Sequence, residues 1–456
     1  MKRFFPIFLI LIGVLYIRLL YLSYAGMRIH LDPDSQGYYL QTSFFTKDVL
    51  HNFFNQYRTP GYKIFIDIIK NVFLSKNLLL KPVELFFVSK YIILSQTLLG
   101  WAGIVILFAT LKRLGIPPLM NYIFIVLTGL NIYQFIWDRA LLTESLYIFV
   151  FTTLMWMFLD LLIKPTIRMG ILFILVAGFG FLIKPAGILF PYILLPIVWL
   201  MHRSKKVFVA MCLLLAIYTT IPVVYAEMNN RLYQYHGISM NSDIALFGRI
   251  LHHNFPIETV RNVTPNLYQN IIKYRQLHAS VPQPWNFFEY YNNDVLVHAE
   301  ELKTFNTHVI VNQIVPFTKS VISDIPLSLI DVVVGDVLFL RPIKLTFADW
   351  LFYSLVPIIQ CLQKSTVLFL ILFPCTIVLF IKKQSIMNAF LLSIAFIEIY
   401  QIFSSAIYGG SWEFARHLIT TQTYLFFFCF WWICYGTPRI IQRIQHAIKK
   451  LSDYVQ

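Results

Sequence analysis

Carboxylates and cations recur in this chain where long apolar runs end. Asp32 and Asp34 follow the first run, and Arg58 lies a short way beyond them. Asp138, Arg139 and Glu144 fall between the third and fourth runs, Lys184 between the fifth and sixth, and Glu413, Arg416 and His417 just before the last. Gathered on one face, such a set suits transfer to an acceptor hydroxyl or amine. A carboxylate takes the acceptor proton as general base, and cations stabilise a phosphate as it leaves. A phosphate carried on a lipid is presented at that depth, which accounts for cations at helix ends instead of in a soluble pocket. Plainer uses stand beside this one. Lys184 and Arg416 can snorkel to headgroups, Asp32 and Asp34 suit the turn Leu31-Asp32-Pro33-Asp34-Ser35, and Glu144 suits the first turn of a helix. Tyr38 and Tyr62 can stack on a sugar or shape the cleft, or join an interfacial aromatic belt in a chain with 26 tyrosines.

The elements that must position these residues are spanning helices. The 456 residues are 58% hydrophobic and 13% charged, with mean hydropathy +0.67, a balance that no soluble core of this size can bury. A span needs roughly 20 apolar residues. Runs of about that length fall at 4–24, 84–111, 117–136, 145–163, 169–183, 186–201, 207–226, 362–381, 386–405 and 417–435. The reading is an all-α polytopic membrane protein of about ten transmembrane helices, with 169–183 and 186–201 forming a tight hairpin around Lys184-Pro185.

Sidedness follows from charge. Lys2-Arg3, Lys112-Arg113, Lys164 with Arg168, Arg203 to Lys206, Lys382-Lys383 and Arg439 to Lys450 can all be cytoplasmic with that span set. The formal net charge of +15 therefore reads as topology, not as a nucleic-acid groove. Met1-Lys2-Arg3 and the run after it resemble a signal sequence, but Ala25-Gly26 is a poor cleavage site, so the expectation is an uncleaved first span. The chain divides into an N-terminal transmembrane module (1–226) with a first outer loop (27–83), an extracytoplasmic loop region (227–350), and a C-terminal transmembrane module (351–456) with a basic cytoplasmic tail. Within the first loop, residues 63–70 have the spacing of a helix lying along the interface. The second loop ends in an apolar run interrupted by Asp324, Asp331 and Asp336, too acidic to span comfortably. It is expected to pack on the membrane surface, with 312–320 as part of an interfacial helix.

Other features carry little. The five cysteines lie mainly in apolar runs without paired spacing. His252-His253, His298 and Glu300 lack metal-ligand spacing, so no metal is expected. Asn262-Val263-Thr264 fits a glycosylation sequon and is given no functional weight. Arg18 and Glu398 are the main charges inside spans, each read as close enough to an end to pack or snorkel. That leaves a transporter or lipid flippase, which needs ionisable or broken-helix sites near the midplane, as a rival. A polysaccharide polymerase or ligase acting on lipid-diphosphate glycans is another.

In motif and order the chain resembles the GT-C class of membrane glycosyltransferases, especially bacterial relatives of protein O-mannosyltransferases and of the lipid A aminoarabinose transferase. Asp34-Ser35-Gln36-Gly37-Tyr38 is similar to the class's first-loop acidic motif, and Tyr57-Arg58-Thr59-Pro60-Gly61-Tyr62 to its Arg-x-Pro-Gly-Tyr segment. Leu142-Thr143-Glu144-Ser145 resembles the Thr/Ser-Glu motif opening span four. Leu182-Ile183-Lys184-Pro185 is similar to its basic residue plus Pro, and Glu413-Phe414-Ala415-Arg416-His417 to its Arg-Tyr motif. The match covers roughly the first 200 and last 50 residues. Lys184 stands where Arg is usual, and His417 where Tyr is usual. The resemblance implies Asp34 as general base, with Asp32 its rival, and Arg58, Lys184 and Arg416 holding a polyprenyl phosphate. It further implies Glu144 orienting a reactant or a neighbouring cation, and Tyr38, Tyr62 and His417 lining the cleft. The donor would be a polyprenyl-phosphate sugar and the acceptor an envelope glycan, lipid or protein. No resident cofactor is implied, and the site would face outward from the inner or plasma membrane.

Overall fold

A computed structural model describes residues 5–25, 49–74, 82–131, 134, 136–277, 287, 299–330, 357–358, 360–361, 364, 366–408 and 418–436. Every described element is helical, as apolar runs in a bilayer must be, because a helix satisfies its own backbone polar groups. The spanning region contains α1 (Phe5–Ala25), α4 (Pro82–Arg113), α5 (Pro118–Gly129), α6 (Glu144–Ile163), α7 (Ile167–Ile183), α8 (Phe190–His202), α9 (Lys205–Tyr233), α14 (Leu368–Lys382), α15 (Ile386–Tyr408) and α16 (Gln422–Trp431). Among the described residues, six segments are long and apolar enough to cross a membrane: Phe5–Ser23, Val88–Arg113, Glu144–Ile163, Pro185–His202, Lys205–Tyr233 and Ile386–Tyr408. α5, α7 and α14 are apolar but shorter. The chain is thus an α-helical membrane protein.

Two sequence expectations change. Within the run 117–136 the helix from Pro118 ends at Gly129, and a 3-10 segment follows at Ile136–Arg139; residues 132, 133 and 135 lie outside the described residues. Asn131 and Gln134 before the 3-10 segment, and Asp138 and Arg139 within it, are buried; they are too polar for a lipid-facing surface and are enclosed by protein. Arg18 and Glu398 are also not near-end, snorkelling residues. Both lie well inside their helices, at 2% and 0% exposure, where a charge must find partners within the protein.

One end of the bundle gathers the basic residues. Arg113 pairs with Asp160, His202 Nε2 lies 3.1 Å from the Leu162 carbonyl oxygen, and Phe158 stacks on Phe390. The ends of α4, α6 and α8 and the start of α15 therefore meet, bringing Arg113, Lys164, Arg203 and Lys383 to the same side. Glu144 and Lys184, at the other ends of α6 and α7, lie on the opposite side.

On that opposite side, α10 (Asn241–His252), α11 (Pro265–Leu277), α12 (Ala299–Asn312) and α13 (Ile314–Ile330) form an outer layer around a second apolar core that includes Phe247, Ile271, Phe305 and Ala406. Ala406 belongs to α15, so the layer sits directly on a spanning helix. Arg249 fastens it there. Its guanidinium donates to the Ala406 carbonyl, to Ser320 Oγ at 3.0 Å and to Asp324 Oδ2 at 2.7 Å. Beside it, burial first and Arg249 second push the His253 imidazole below its usual value, against the opposing pull of Asp324. The acid residue that interrupts the apolar run of α13 thus has a buried cation as partner. Asp331 and Asp336 lie outside the described residues.

Between outer layer and bundle run α2 (Val49–Phe53) and α3 (Gly61–Leu74). α3 contains the amphipathic stretch expected at 63–70, and it turns its charges inward. Lys63, Asp67 and Lys70 are buried, whereas Ile68, Val72 and Phe73 are exposed. Lys70 Nζ donates to Asp67 Oδ1 at 3.0 Å and Lys63 Nζ to Asn52 Oδ1 at 3.2 Å. Burial lowers the Lys63 ammonium pKa, partly offset by Asp67. An apolar face outward and satisfied charges inward suit a helix bordering lipid.

Candidate functional site

A close backbone contact assembles the site. Pro60 and Gly61 start α3, and a Cβ on Gly61 would stand 2.7 Å from Leu182 C and O and 2.8 Å from Ile183 N. Only glycine lets α3 approach the last turn of α7 this closely, next to Lys184. Gly61→Ala is expected to push the two helices apart and cost about 1–3 kcal/mol, the usual range for overpacking. The loss would be read as a lowered thermal midpoint of the purified protein; an unchanged midpoint would contradict the contact.

Tyr62, the next residue, is closed off from solvent. Its hydroxyl donates to Gln96 Oε1 at 2.6 Å. Gln96 Nε2 in turn faces the carbonyls of Asp138 at 2.9 Å and Ala140 at 3.0 Å. One buried amide on α4 thereby ties α3 to the 3-10 turn that precedes α6. Tyr62 anchors this frame, and its ring is enclosed instead of facing an open cleft.

α6 begins at Glu144, where the positive end of the helix dipole favours a carboxylate. α7 ends with Lys184 as its C-cap, its backbone N–H donating to the Gly180 carbonyl at 2.9 Å, where the dipole favours a cation. The two side chains meet, Lys184 Nζ to Glu144 Oε1, at 3.6 Å with side-chain exposures of 13% and 2%. That separation makes a buried ion pair: part of the Lys184 side chain is exposed, but its ammonium nitrogen is closed off from solvent. A carboxylate at one helix start set against an ammonium at the neighbouring helix end fixes where that cation stands.

Beneath this pair lies a second one. Arg18 Nη1 stands 3.8 Å from Asp138 Oδ2, and Arg18 Nε donates to the Gly129 carbonyl at 3.1 Å. Ser145 Oγ donates to Asp138 Oδ1 at 2.7 Å. Gly100 leaves the space, since a Cβ there would reach 2.7 Å from Arg18 Nη1. The group borders a cavity of about 10 Å³, also lined by Gln134 and Thr423, and those two exchange hydrogen bonds at 2.9 and 3.1 Å. Farther into the bundle, Thr421 Oγ1 donates to Glu398 Oε2 at 3.1 Å.

Of the residues singled out in the sequence, the structure brings Tyr62, Glu144 and Lys184 into one assembly with the segment that carries Arg58. Asp32, Asp34, Tyr38, Arg416 and His417 lie outside the described residues. Sequence reasoning did not find Gln96, the Arg18 and Asp138 pairing, or Ser145. The usable signal was polarity inside an apolar run, as at Gln96, which has to be satisfied by a specific partner. Among the described residues no group of three or more His, Cys, Asp or Glu side chains is arranged to hold a metal ion. No protein-family model matches the chain, and no curated protein matches it.

Proposed function

We propose that this chain is an integral membrane glycosyltransferase of GT-C architecture with about ten spans. It would move a sugar from a polyprenyl-phosphate donor to an envelope glycan, lipid or protein on the extracytoplasmic face. The observation that carries the reading is the convergence of the Arg58 to Tyr62 segment with Glu144 and Lys184, at the end of the bundle opposite its basic, cytoplasm-type end. In the proposed step the acceptor oxygen forms a bond to the sugar carbon as the bond from that carbon to the phosphate oxygen breaks. Asp34, or Asp32 in its place, takes the acceptor proton. The polyprenyl monophosphate leaves with its charge held by Arg58, Lys184 and Arg416, and the single displacement inverts the sugar carbon. Glu144 holds Lys184 in position. Lys184 acts as a point charge where an Arg could grip in bidentate fashion.

One observation favours a transporter as second reading: Glu398 and Arg18 are buried within their helices, as coupling residues of transporters are. Both readings meet the same experiment. Membranes containing wild type or Asp34→Asn are supplied with a panel of radiolabelled polyprenyl-phosphate sugars and an envelope extract. Incorporation by wild type and its loss in a folded Asp34→Asn variant are expected. No incorporation from any donor by folded wild type would overturn the proposal in favour of a lipid-diphosphate ligase or a transporter.

A further inference from the structure

The backbone that presents Arg58 is held by groups the reaction itself does not use. α9 continues past the apolar part of its span, and Tyr225, Asn229 and Tyr233, spaced four apart, share one face of it. The Tyr225 hydroxyl accepts from Asn55 N at 3.1 Å and faces the carbonyls of Phe53 and Asn55 at 3.3 and 3.2 Å, its single proton shared between them. Asn55 Oδ1 then accepts from the backbone N–H groups of Tyr57 at 2.8 Å and Arg58 at 3.2 Å. Two turns farther along α9, Tyr233 donates to the His51 carbonyl at 3.1 Å.

The same segment is gripped from the outer layer. α9 ends at Gln234 in the left-handed conformation (φ 54°), which reverses the chain. Asn229 Nδ2 donates to the carbonyls of Gly237 at 2.8 Å and Ile238 at 3.1 Å. The following turn reaches back, Ser239 Oγ to the Tyr57 carbonyl at 2.7 Å and Met240 N to the Gln56 carbonyl at 2.7 Å. Residues 53–58 are therefore fixed from two sides, and burial raises the pKa of the Tyr57 phenol within the clamp.

We infer that Tyr225 and Asn55 are positioning residues for Arg58, and that through Ser239 and Met240 the outer helical layer sets how tightly the lipid-linked phosphate is held. This rests on the proposed role of Arg58 as a phosphate ligand. Neither Tyr225 nor Asn55 is assigned contact with a reactant; each acts on the backbone that places the guanidinium.

The test measures binding of polyprenyl monophosphate to purified protein in lipid nanodiscs, for wild type, Arg58→Ala, Tyr225→Phe, Asn55→Ala and the double variant Arg58→Ala with Tyr225→Phe. Tyr225→Phe removes one hydroxyl and keeps the ring against Phe53, Phe54 and Phe181. Arg58→Ala is expected to weaken binding by about tenfold or more, as loss of a hydrogen bond from a charged group does. Tyr225→Phe and Asn55→Ala are each expected to weaken it by about three- to tenfold. The double variant should bind no more weakly than Arg58→Ala, because a clamp has nothing to position once the guanidinium is gone. If Tyr225→Phe does not fold, Asn55→Ala, which leaves the spanning helices untouched, decides alone. Wild-type binding by Tyr225→Phe and Asn55→Ala, or effects that multiply in the double variant, overturns the inference while leaving Arg58 in its role. Wild-type binding by Arg58→Ala removes the reading beneath it.

Discussion

Asp138→Leu with Arg18 left in place is expected to destabilise the protein by about 3–5 kcal/mol, the usual result when one partner of a buried ion pair is removed. The guanidinium would keep its hydrogen bond to the Gly129 carbonyl but lose the carboxylate 3.8 Å away. α1 has no route for that charge to reach water, since Arg18 is buried. Ser145 Oγ would lose its acceptor at the same time. Pairing the change with Arg18→Met should recover most of the loss, because well-packed apolar replacements of a buried pair are often neutral. Thermal unfolding of the purified proteins provides the measurement. An Asp138→Leu midpoint equal to wild type would mean that the two charges do not depend on each other. Asp138→Asn should fall between, keeping an acceptor for Ser145 and losing the charge.

The second large effect concerns Lys184 and needs its structural and chemical parts separated. Lys184→Ala is expected to reduce transfer at limiting lipid donor by about 10²–10³-fold, the range for deleting one donor to a developing oxyanion. It also leaves Glu144 buried without its ion-pair partner, which lowers stability. The double variant Lys184→Ala with Glu144→Gln removes that carboxylate charge and should return the thermal midpoint towards wild type while transfer stays low. Recovery of transfer along with stability would reduce the pair to a structural contact. Lys184→Arg keeps the charge and is expected to retain transfer within about tenfold of wild type, with any loss falling on donor KM, since the two cations differ in geometry and hydration.

These effects divide what was legible in the sequence from what was not. Spanning helices were readable because a bilayer demands long apolar runs, and the described helices of the spanning region fall on those runs; the outer-layer helices α10, α11 and α12 lie where only a loop was expected. The run 117–136 was misread at its end because hydropathy counts Ile136 as lipid-facing, whereas it is buried in the polar 3-10 turn that follows. Glu144 and Lys184 were legible as helix-end charges, and their meeting follows from the antiparallel course of α6 and α7. Arg18 was misjudged because distance to a helix end says nothing about whether another segment supplies a carboxylate there. Its partner lies 120 residues away in sequence, and the space for the pair depends on Gly100 in yet another helix. Tyr225, Asn229 and Tyr233 had readable helical spacing, but nothing local indicated that their common face would meet residues 51–58.

α9 has 29 residues, about 43 Å of helix at 1.5 Å per residue, against roughly 30 Å for the hydrocarbon core of a bilayer. The surplus of about 13 Å equals the last two and a half turns of this helix, which carry Tyr225, Asn229 and Tyr233 beyond Pro222 and grip the Arg58 segment. A helix so long answers to bilayer thickness by tilting, and a rotation of about five degrees about its inner end sweeps its outer end sideways by roughly 4 Å on that length. The backbone that carries Arg58 is thus mounted on a lever whose fulcrum is the membrane itself.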